Sequence, residues 1–166
     1  MSTLRAIKFF FVIGWFVMTA MLFIACSSRL VPAVVSEQAK SIPLGTTFLT
    51  TKSAASVFTD AWSPNGKLLA LGYADGSVQV RDAATGKIDF NVLGHRSHVW
   101  ALAWSPDGQR LASGSWDTTV QVWNATTGHQ IFTYRGHADI IGSLAWSPDG
   151  KRIASVDDQL RVWEAS

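Results

Sequence analysis

Cysteine is almost absent from this 166-residue sequence, since Cys26 is the only one. No intramolecular disulfide can form, so the fold must be held together by packing. Motifs for catalysis are also missing: there is no Gly-rich phosphate loop, no His-Glu-x-x-His, no Gly-x-Ser-x-Gly and no paired-cysteine metal motif. The sequence therefore predicts no metal and no cofactor, and it favours a non-enzymatic protein.

Net charge is absent beyond residue 26. The sequence has 14 basic residues, and Arg5 and Lys8 are the two that precede this point, so 12 remain against 12 acidic residues. Proteins that bind nucleic acid use a basic surface to neutralise phosphates. The balanced composition makes DNA or RNA an unfavourable partner.

The only long apolar run lies at the start of the chain. Arg5 and Lys8 precede 17 uncharged residues, Phe9 to Ala25, which end at Cys26. A basic region before an apolar core is typical of a secretory signal, and this run is slightly short for a membrane span. Leu22–Ser27 resembles a bacterial lipobox, in which Cys26 would carry the lipid. The alternative is an uncleaved single-span anchor, an apolar N-terminal helix; both predict a membrane-anchored, extracytoplasmic protein.

The rest of the chain contains three copies of one unit. Trp62, Trp104 and Trp146 each open a Trp-Ser-Pro-Asn/Asp-Gly segment, 42 residues apart both times. Gly94-His95 and Gly136-His137 recur at the same interval, which indicates a repeat architecture. The predicted organisation is a signal or anchor over 1–26, a tether over 27–45 and repeats over 46–166, divided at about 52–93, 94–135 and 136–166.

Each unit reads as four short strands separated by turns. Val99–Trp104 is a continuous apolar run, as a strand buried on both faces requires. Ser105–Gly108 has turn chemistry, and strands near Leu111, Val120 and Gln130 follow. The sequence therefore predicts an all-β fold of four-stranded antiparallel sheets. The last copy ends after its third strand, and Thr46–Thr51 is predicted to be a strand that completes a sheet, within the chain or in a neighbouring copy.

The Gly-His opener, the Trp-Ser-Pro-Asp-Gly turn and the Val-Trp ending resemble those of the WD-repeat β-propeller family. The resemblance implies about three blades, fewer than the roughly four to eight of a closed propeller. Self-association into a ring, blades supplied by a partner and truncation of a longer protein are three explanations that stay open. The first copy departs from the pattern, with Lys52-Ser53 for Gly-His and Arg81 for Trp. We predict that this blade is the least stable.

The resemblance also implies a buried hydrogen-bond network in the second and third blades. The positions that match are His95, Ser113, Asp117 and Trp123 in one copy, and His137, Ser155, Asp157 and Trp163 in the next. A serine, a histidine and an aspartate together could form a hydrolase triad. An active site is normally unique, however, whereas this set recurs, so we interpret it as structural.

A partner-binding surface is the second site that the resemblance implies. Trp, Tyr and Arg are frequent at binding hot spots, and the positions that match are Tyr73, Arg96, His98, Trp100 and Trp116. For Trp100 the alternative is packing between blades. The predicted function is a membrane-tethered scaffold that binds a protein or peptide. An enzyme or enzyme accessory domain with a site in the propeller channel, a purely structural assembly and a fragment without independent function are the alternatives.

Overall fold

The structure, a computed structural model, describes residues 46–47, 49–50 and 52–165. Eleven strands occur there: β1 (Val57–Trp62), β2 (Leu68–Tyr73), β3 (Ser77–Asp82), β4 (Ile88–Leu93), β5 (Val99–Trp104), β6 (Arg110–Ser115), β7 (Val120–Asn124), β8 (Gln130–Tyr134), β9 (Ser143–Trp146), β10 (Arg152–Val156) and β11 (Leu160–Glu164). The all-β prediction is confirmed. Cys26 and the predicted N-terminal helix lie outside the described residues, among which no helix is long and apolar enough to cross a membrane.

The strands form three antiparallel sheets, which we name blades 1, 2 and 3. Blade 1 contains β1 to β4 and blade 2 contains β5 to β8, with neighbouring strands paired in chain order. Blade 3 contains only β9 to β11. The predicted strand over Thr46–Thr51 is wrong for the four residues of that segment that the structure describes, which are outside any strand. Blade 1 already has its fourth strand, β4, so it offers this segment no edge position of that kind.

The Trp-Ser-Pro-Asp-Gly segments form the tight turns between the first two strands of each blade. In blade 2 the Ser105 hydroxyl donates to Asp107 Oδ1 at 2.5 Å, and the Gly108 amide donates to the Ser105 carbonyl at 2.9 Å. Gly108 has a φ of +70°, a conformation that glycine adopts without steric cost. The motif recurs because every blade requires the same turn.

Each pair of neighbouring blades encloses an apolar core. The core between blades 1 and 2 includes Val78, Val80, Val99, Leu111 and Trp123; the core between blades 2 and 3 includes Val120, Val122, Ile141 and Ile153. The blades approach closely because glycines lie at the contact. A Cβ added to Gly72 would lie 2.7 Å from Val99 Cγ1, and one added to Gly114 would lie 2.5 Å from Ile141 Cγ2. Side chains larger than hydrogen at these two positions would force the blades apart.

A tryptophan on the first strand of each later blade bonds to the blade before it. Trp104 Nε1 donates to the Ala61 carbonyl and Trp146 Nε1 donates to the Ala103 carbonyl, both at 2.9 Å. Donors and acceptors are each 42 residues apart, so the two blade interfaces have the same register. Trp62 has the same position in blade 1 and is 56% exposed. The repeated tryptophan therefore joins one blade to the preceding one.

Candidate functional site

A network of buried polar side chains crosses blade 2. His95 Nε2 lies 2.8 Å from Ser113 Oγ, and His95 Nδ1 lies 3.0 Å from Asp117 Oδ2. Trp123 Nε1 donates to Ser113 Oγ at 2.8 Å. The four residues that the sequence singled out thus meet in one network, which ties the segment before β5 to β6, β7 and the turn between them.

Blade 3 contains the same network with one addition. His137 Nε2 lies 2.6 Å from Ser155 Oγ, His137 Nδ1 lies 3.0 Å from Asp157 Oδ2, and Trp163 Nε1 donates to Ser155 Oγ at 3.0 Å. Arg161 Nη1 also donates to Asp157 Oδ1 at 2.6 Å. The buried network is therefore a property of the repeat.

Blade 1 has different bonds at these positions. Arg81 Nε donates to Gln79 Oε1 at 2.6 Å, and the Tyr73 hydroxyl donates to the same oxygen at 3.0 Å. Asp75, at the position of Asp117, accepts from the hydroxyl and the amide of Ser77 at 2.6 and 3.0 Å. The lower stability of blade 1 stays a prediction, but the structure shows which bonds replace the network.

The distances in blade 2 would suit a Ser-His-Asp triad, but the burial does not. Ser113 is fully buried and His95 is 4% exposed, and Ser113 Oγ already accepts the Trp123 N–H. A nucleophile has to reach its substrate. This geometry supports a structural role for the network.

Hydrogen bonds hold the two buried carboxylates in their charged form. Burial disfavours ionisation of Asp117, but His95, the Arg96 amide and Thr119 donate to it and lower its pKa well below the usual range. Burial likewise opposes ionisation of Asp157, whose pKa is lowered by donation from the Gln159 amide and by His137 and Arg161. Both networks therefore depend on an ionised aspartate.

An exposed group of four aromatic rings lies where blades 1 and 2 meet. Ring centroids are 5.1 Å apart for Phe58 and His98, 4.8 Å for His98 and Trp116, 5.6 Å for Trp116 and Trp100, and 5.4 Å for Trp100 and Phe58. The four rings thus contact one another in a closed circuit. Phe58, Trp100 and Trp116 are 43%, 42% and 40% exposed. We name this group the aromatic cluster.

β-bulges place two of these rings at the surface. The pairing of β1 with β2 skips Phe58, and the pairing of β5 with β6 skips Trp100. A bulge adds one unpaired residue and redirects its side chain. The predicted burial of Val99–Trp104 on both faces is therefore wrong at Trp100, which is exposed because it is the extra residue of a bulge.

The other two rings are held by backbone bonds. The Trp116 amide donates to the His98 carbonyl at 3.0 Å, and the Ser115 hydroxyl donates to the Ser97 carbonyl at 3.1 Å. His98 Nδ1 is hydrogen-bonded to the Ala74 carbonyl of blade 1. Thr118, in the same turn as Trp116, has a φ of +66°, which is unusual for a β-branched residue. The turn is therefore fixed in a strained conformation that presents Trp116.

Comparison with known families identifies the repeat. The family described as "WD domain, G-beta repeat" matches residues 87–124 and 128–164. The family described as "Anaphase-promoting complex subunit 4 WD40 domain" matches residues 46–96. The repeats are WD repeats.

Two solved structures share the fold of these WD repeats. They are "Crystal structure of RRP9 WD40 repeats" and "Structure of U3-55K", each with a TM-score of 0.66 and 24% identity over 69% of this chain. The chain spans 37% of the first structure and 38% of the second. No curated protein matches the sequence significantly.

The WD repeats place the predicted surface residues in three different surroundings. His98, Trp100 and Trp116 belong to the aromatic cluster. Tyr73 does not lie on an open surface, since it is 3% exposed and bonded to Gln79. Arg96 is exposed but lines a polar hollow of about 160 Å³ together with Asp117 and other residues. Among the described residues, no three His, Cys, Asp or Glu side chains are grouped as metal ligands would be.

Phe58 is the residue of the aromatic cluster that sequence reasoning missed. It precedes Trp100 by 42 residues and so has the same position in the repeat. An alignment of the copies could have found it, because an aromatic residue in the first copy matches Trp100 in the second. The third copy has Gly142 there, which confines the cluster to blades 1 and 2.

Proposed function

We propose that this chain is a non-enzymatic WD-repeat scaffold that binds a protein or peptide partner through the aromatic cluster. The observation that carries the proposal is the exposure of Phe58, Trp100 and Trp116 in one contiguous group. Large aromatic side chains that remain accessible and adjacent are typical of binding hot spots.

The rigidity of the aromatic cluster supports the same conclusion. Its rings are attached to bulged strands and to a turn fixed by backbone bonds, so few rotamers remain to be restricted when a partner binds. Binding costs less entropy when the contact groups are already in place. The surface is mainly apolar, with His98 as a polar neighbour, and suits a segment that carries apolar or aromatic side chains.

We predict that Trp116→Ala lowers the affinity for such a segment by about 30-fold, since truncating a hot-spot aromatic costs about 2 kcal/mol. Peptides selected from a random displayed library on the full chain supply the probe. Their dissociation constants, measured by fluorescence anisotropy, should rise for Trp116→Ala and for Trp100→Ala.

Trp62→Ala is the matched control, because it removes another exposed tryptophan outside the aromatic cluster. Its affinity for the peptides should equal that of the wild type. If the selected peptides bind the two cluster variants as tightly as the wild type, the aromatic cluster is not the binding surface.

We also propose that the N-terminal segment holds the WD repeats at a membrane, on its extracytoplasmic side. The support comes from the sequence alone, in the order of basic residues, apolar run and Cys26. In a bacterial host, the chain should take up radiolabelled palmitate and fractionate with membranes, and Cys26→Ser should lose the label. Membrane fractionation without label would indicate the uncleaved anchor, and recovery in the cytoplasmic fraction would contradict membrane attachment.

A further inference from the structure

The two terminal blades each have an exposed face that carries apolar residues. On blade 1, Trp62 is 56% and Val57 45% exposed, and on blade 3, Leu160 is 67% and Val162 57% exposed. Leu49 lies at the margin of the first of these faces, in a hollow that it lines with Trp62, but leaves Trp62 largely accessible. We propose that blade 3 of one copy docks on blade 1 of a second copy, in the register that joins blades 2 and 3 within the chain. This contact does not involve the aromatic cluster.

The contact between blades 2 and 3 shows what such a docking requires. Arg110 of blade 2 donates to the Ala165 carbonyl at 2.9 Å and to the Gly150 carbonyl at 2.6 Å. Its guanidinium lies 4.6 Å from the centroid of the Trp146 ring, and Trp146 donates back to Ala103 of blade 2. Two complementary groups, an arginine and a tryptophan, thus connect the blades.

Every member of this set has an equivalent on the two exposed faces. Arg152 and Ala145 of blade 3 lie 42 residues after Arg110 and Ala103. Trp62 of blade 1 occupies the position of Trp146, and the remaining acceptors have their counterparts in Gly66 and Ala83. Ala83 and Ala165 are equivalent because their amides donate to the carbonyls of Lys67 and Lys151, which occupy the same turn position. Arg152 is exposed and its side chain makes no hydrogen bond to the described residues.

The turns of the blades give the same register. A Cβ on Gly108 would lie 3.7 Å from Pro64 of the preceding blade, and one on Gly150 would lie 3.7 Å from Pro106. The equivalent glycine of blade 1, Gly66, has nothing within 4 Å of that position among the described residues. Pro148 is the one member of this proline series that has no glycine opposite it in the described part of the chain. In the proposed contact, Pro148 of one copy faces Gly66 of the other.

Two positions make the proposed contact weaker than the internal ones. Val156 stands where Gly72 and Gly114 allow close approach. Asp60 stands where Leu102 of blade 2 packs against the core, and burying a carboxylate without a partner is unfavourable. We therefore expect a reversible association that depends on concentration. Because the two faces differ, the contact is head-to-tail and gives either a closed ring or an open chain of copies.

Sedimentation velocity of the full chain in a non-ionic detergent tests the proposal across a range of concentrations. The wild type should form dimers or larger species reversibly. Trp62→Ala and Arg152→Glu should each raise the dissociation constant by about tenfold or more, as expected for loss of a central contact. Both residues are exposed, so thermal unfolding of these variants should match that of the wild-type monomer. Trp100→Ala, which alters only the aromatic cluster, should associate like the wild type.

Asp60→Leu and Val156→Gly give the opposite test, because each restores the residue type found at the internal contacts. Both should lower the dissociation constant severalfold, and a failure of both to do so would show that the register is wrong. A wild-type chain that stays monomeric at all concentrations overturns the proposal. So does association that is unchanged in Trp62→Ala and Arg152→Glu, since it would have to use another surface.

Discussion

Asp117→Ala is expected to lower the free energy of unfolding by about 3–5 kcal/mol, the usual cost of removing one partner of a buried charged pair. The side chain is 9% exposed and accepts from His95, from the Arg96 amide and from the amide and hydroxyl of Thr119. Alanine would leave all these donors without an acceptor. Urea unfolding followed by tryptophan fluorescence measures the change.

Blade 1 provides the control at the same position in the repeat. Asp75 is exposed and accepts only from Ser77 among the described residues, so Asp75→Ala should cost about 1 kcal/mol. Equal losses for the two variants would mean that the buried network contributes nothing beyond the turn.

The same carboxylate gives the pH dependence its sign. The pKa of Asp117 is lower in the folded chain than its ordinary value of 3.8, so the unfolded chain binds more protons in acid. The stability that Asp117 contributes is therefore present at neutral pH and is lost as the pH falls below about 4. The wild type should lose more stability over this range than Asp117→Ala.

Trp104→Ala is expected to cost about 3–5 kcal/mol as well, for a different reason. Trp104 is 8% exposed, belongs to the core between blades 1 and 2 and donates to the Ala61 carbonyl. The substitution leaves a cavity at the blade interface and removes the bond that joins the blades. The midpoint of urea unfolding should fall accordingly.

Trp62→Ala is the comparison for this prediction, since the same Trp-Ser-Pro motif surrounds an exposed side chain. At concentrations where the chain is monomeric, its stability should change by no more than about 0.5 kcal/mol. A cost for Trp62→Ala close to that for Trp104→Ala would contradict the conclusion that the tryptophan acts through the preceding blade.

Much of the fold could be predicted because the sequence repeats. The 42-residue period located the turns, and one turn explained in blade 2 accounts for those in the other blades. The polar networks were predictable for the same reason, since His95 and His137 have equivalent neighbours. Periodicity does not reveal local irregularities, however: the bulges that expose Phe58 and Trp100 depend on strand pairing, which no run of residues displays.

Burial of single residues was harder to predict than strand position. Tyr73 was expected at the surface because Trp116 lies in the corresponding turn region. Its hydroxyl instead reaches Gln79, a bond available because blade 1 has neither the histidine nor the tryptophan of the network. Thr46–Thr51 was expected to be a strand from its composition, but a strand also needs an edge to pair with. Both errors concern the terminal blade, where the repeat is least regular.

The aromatic cluster takes Phe58 from one blade and its other three rings from the next, so it spans the boundary between them. His98 also crosses that boundary through its bond to Ala74. A partner bound to all four rings would act as a clamp, because separating the two blades would first require breaking its contacts. Occupancy and blade separation are therefore mutually exclusive, and a pulling force that opens this boundary would release the partner.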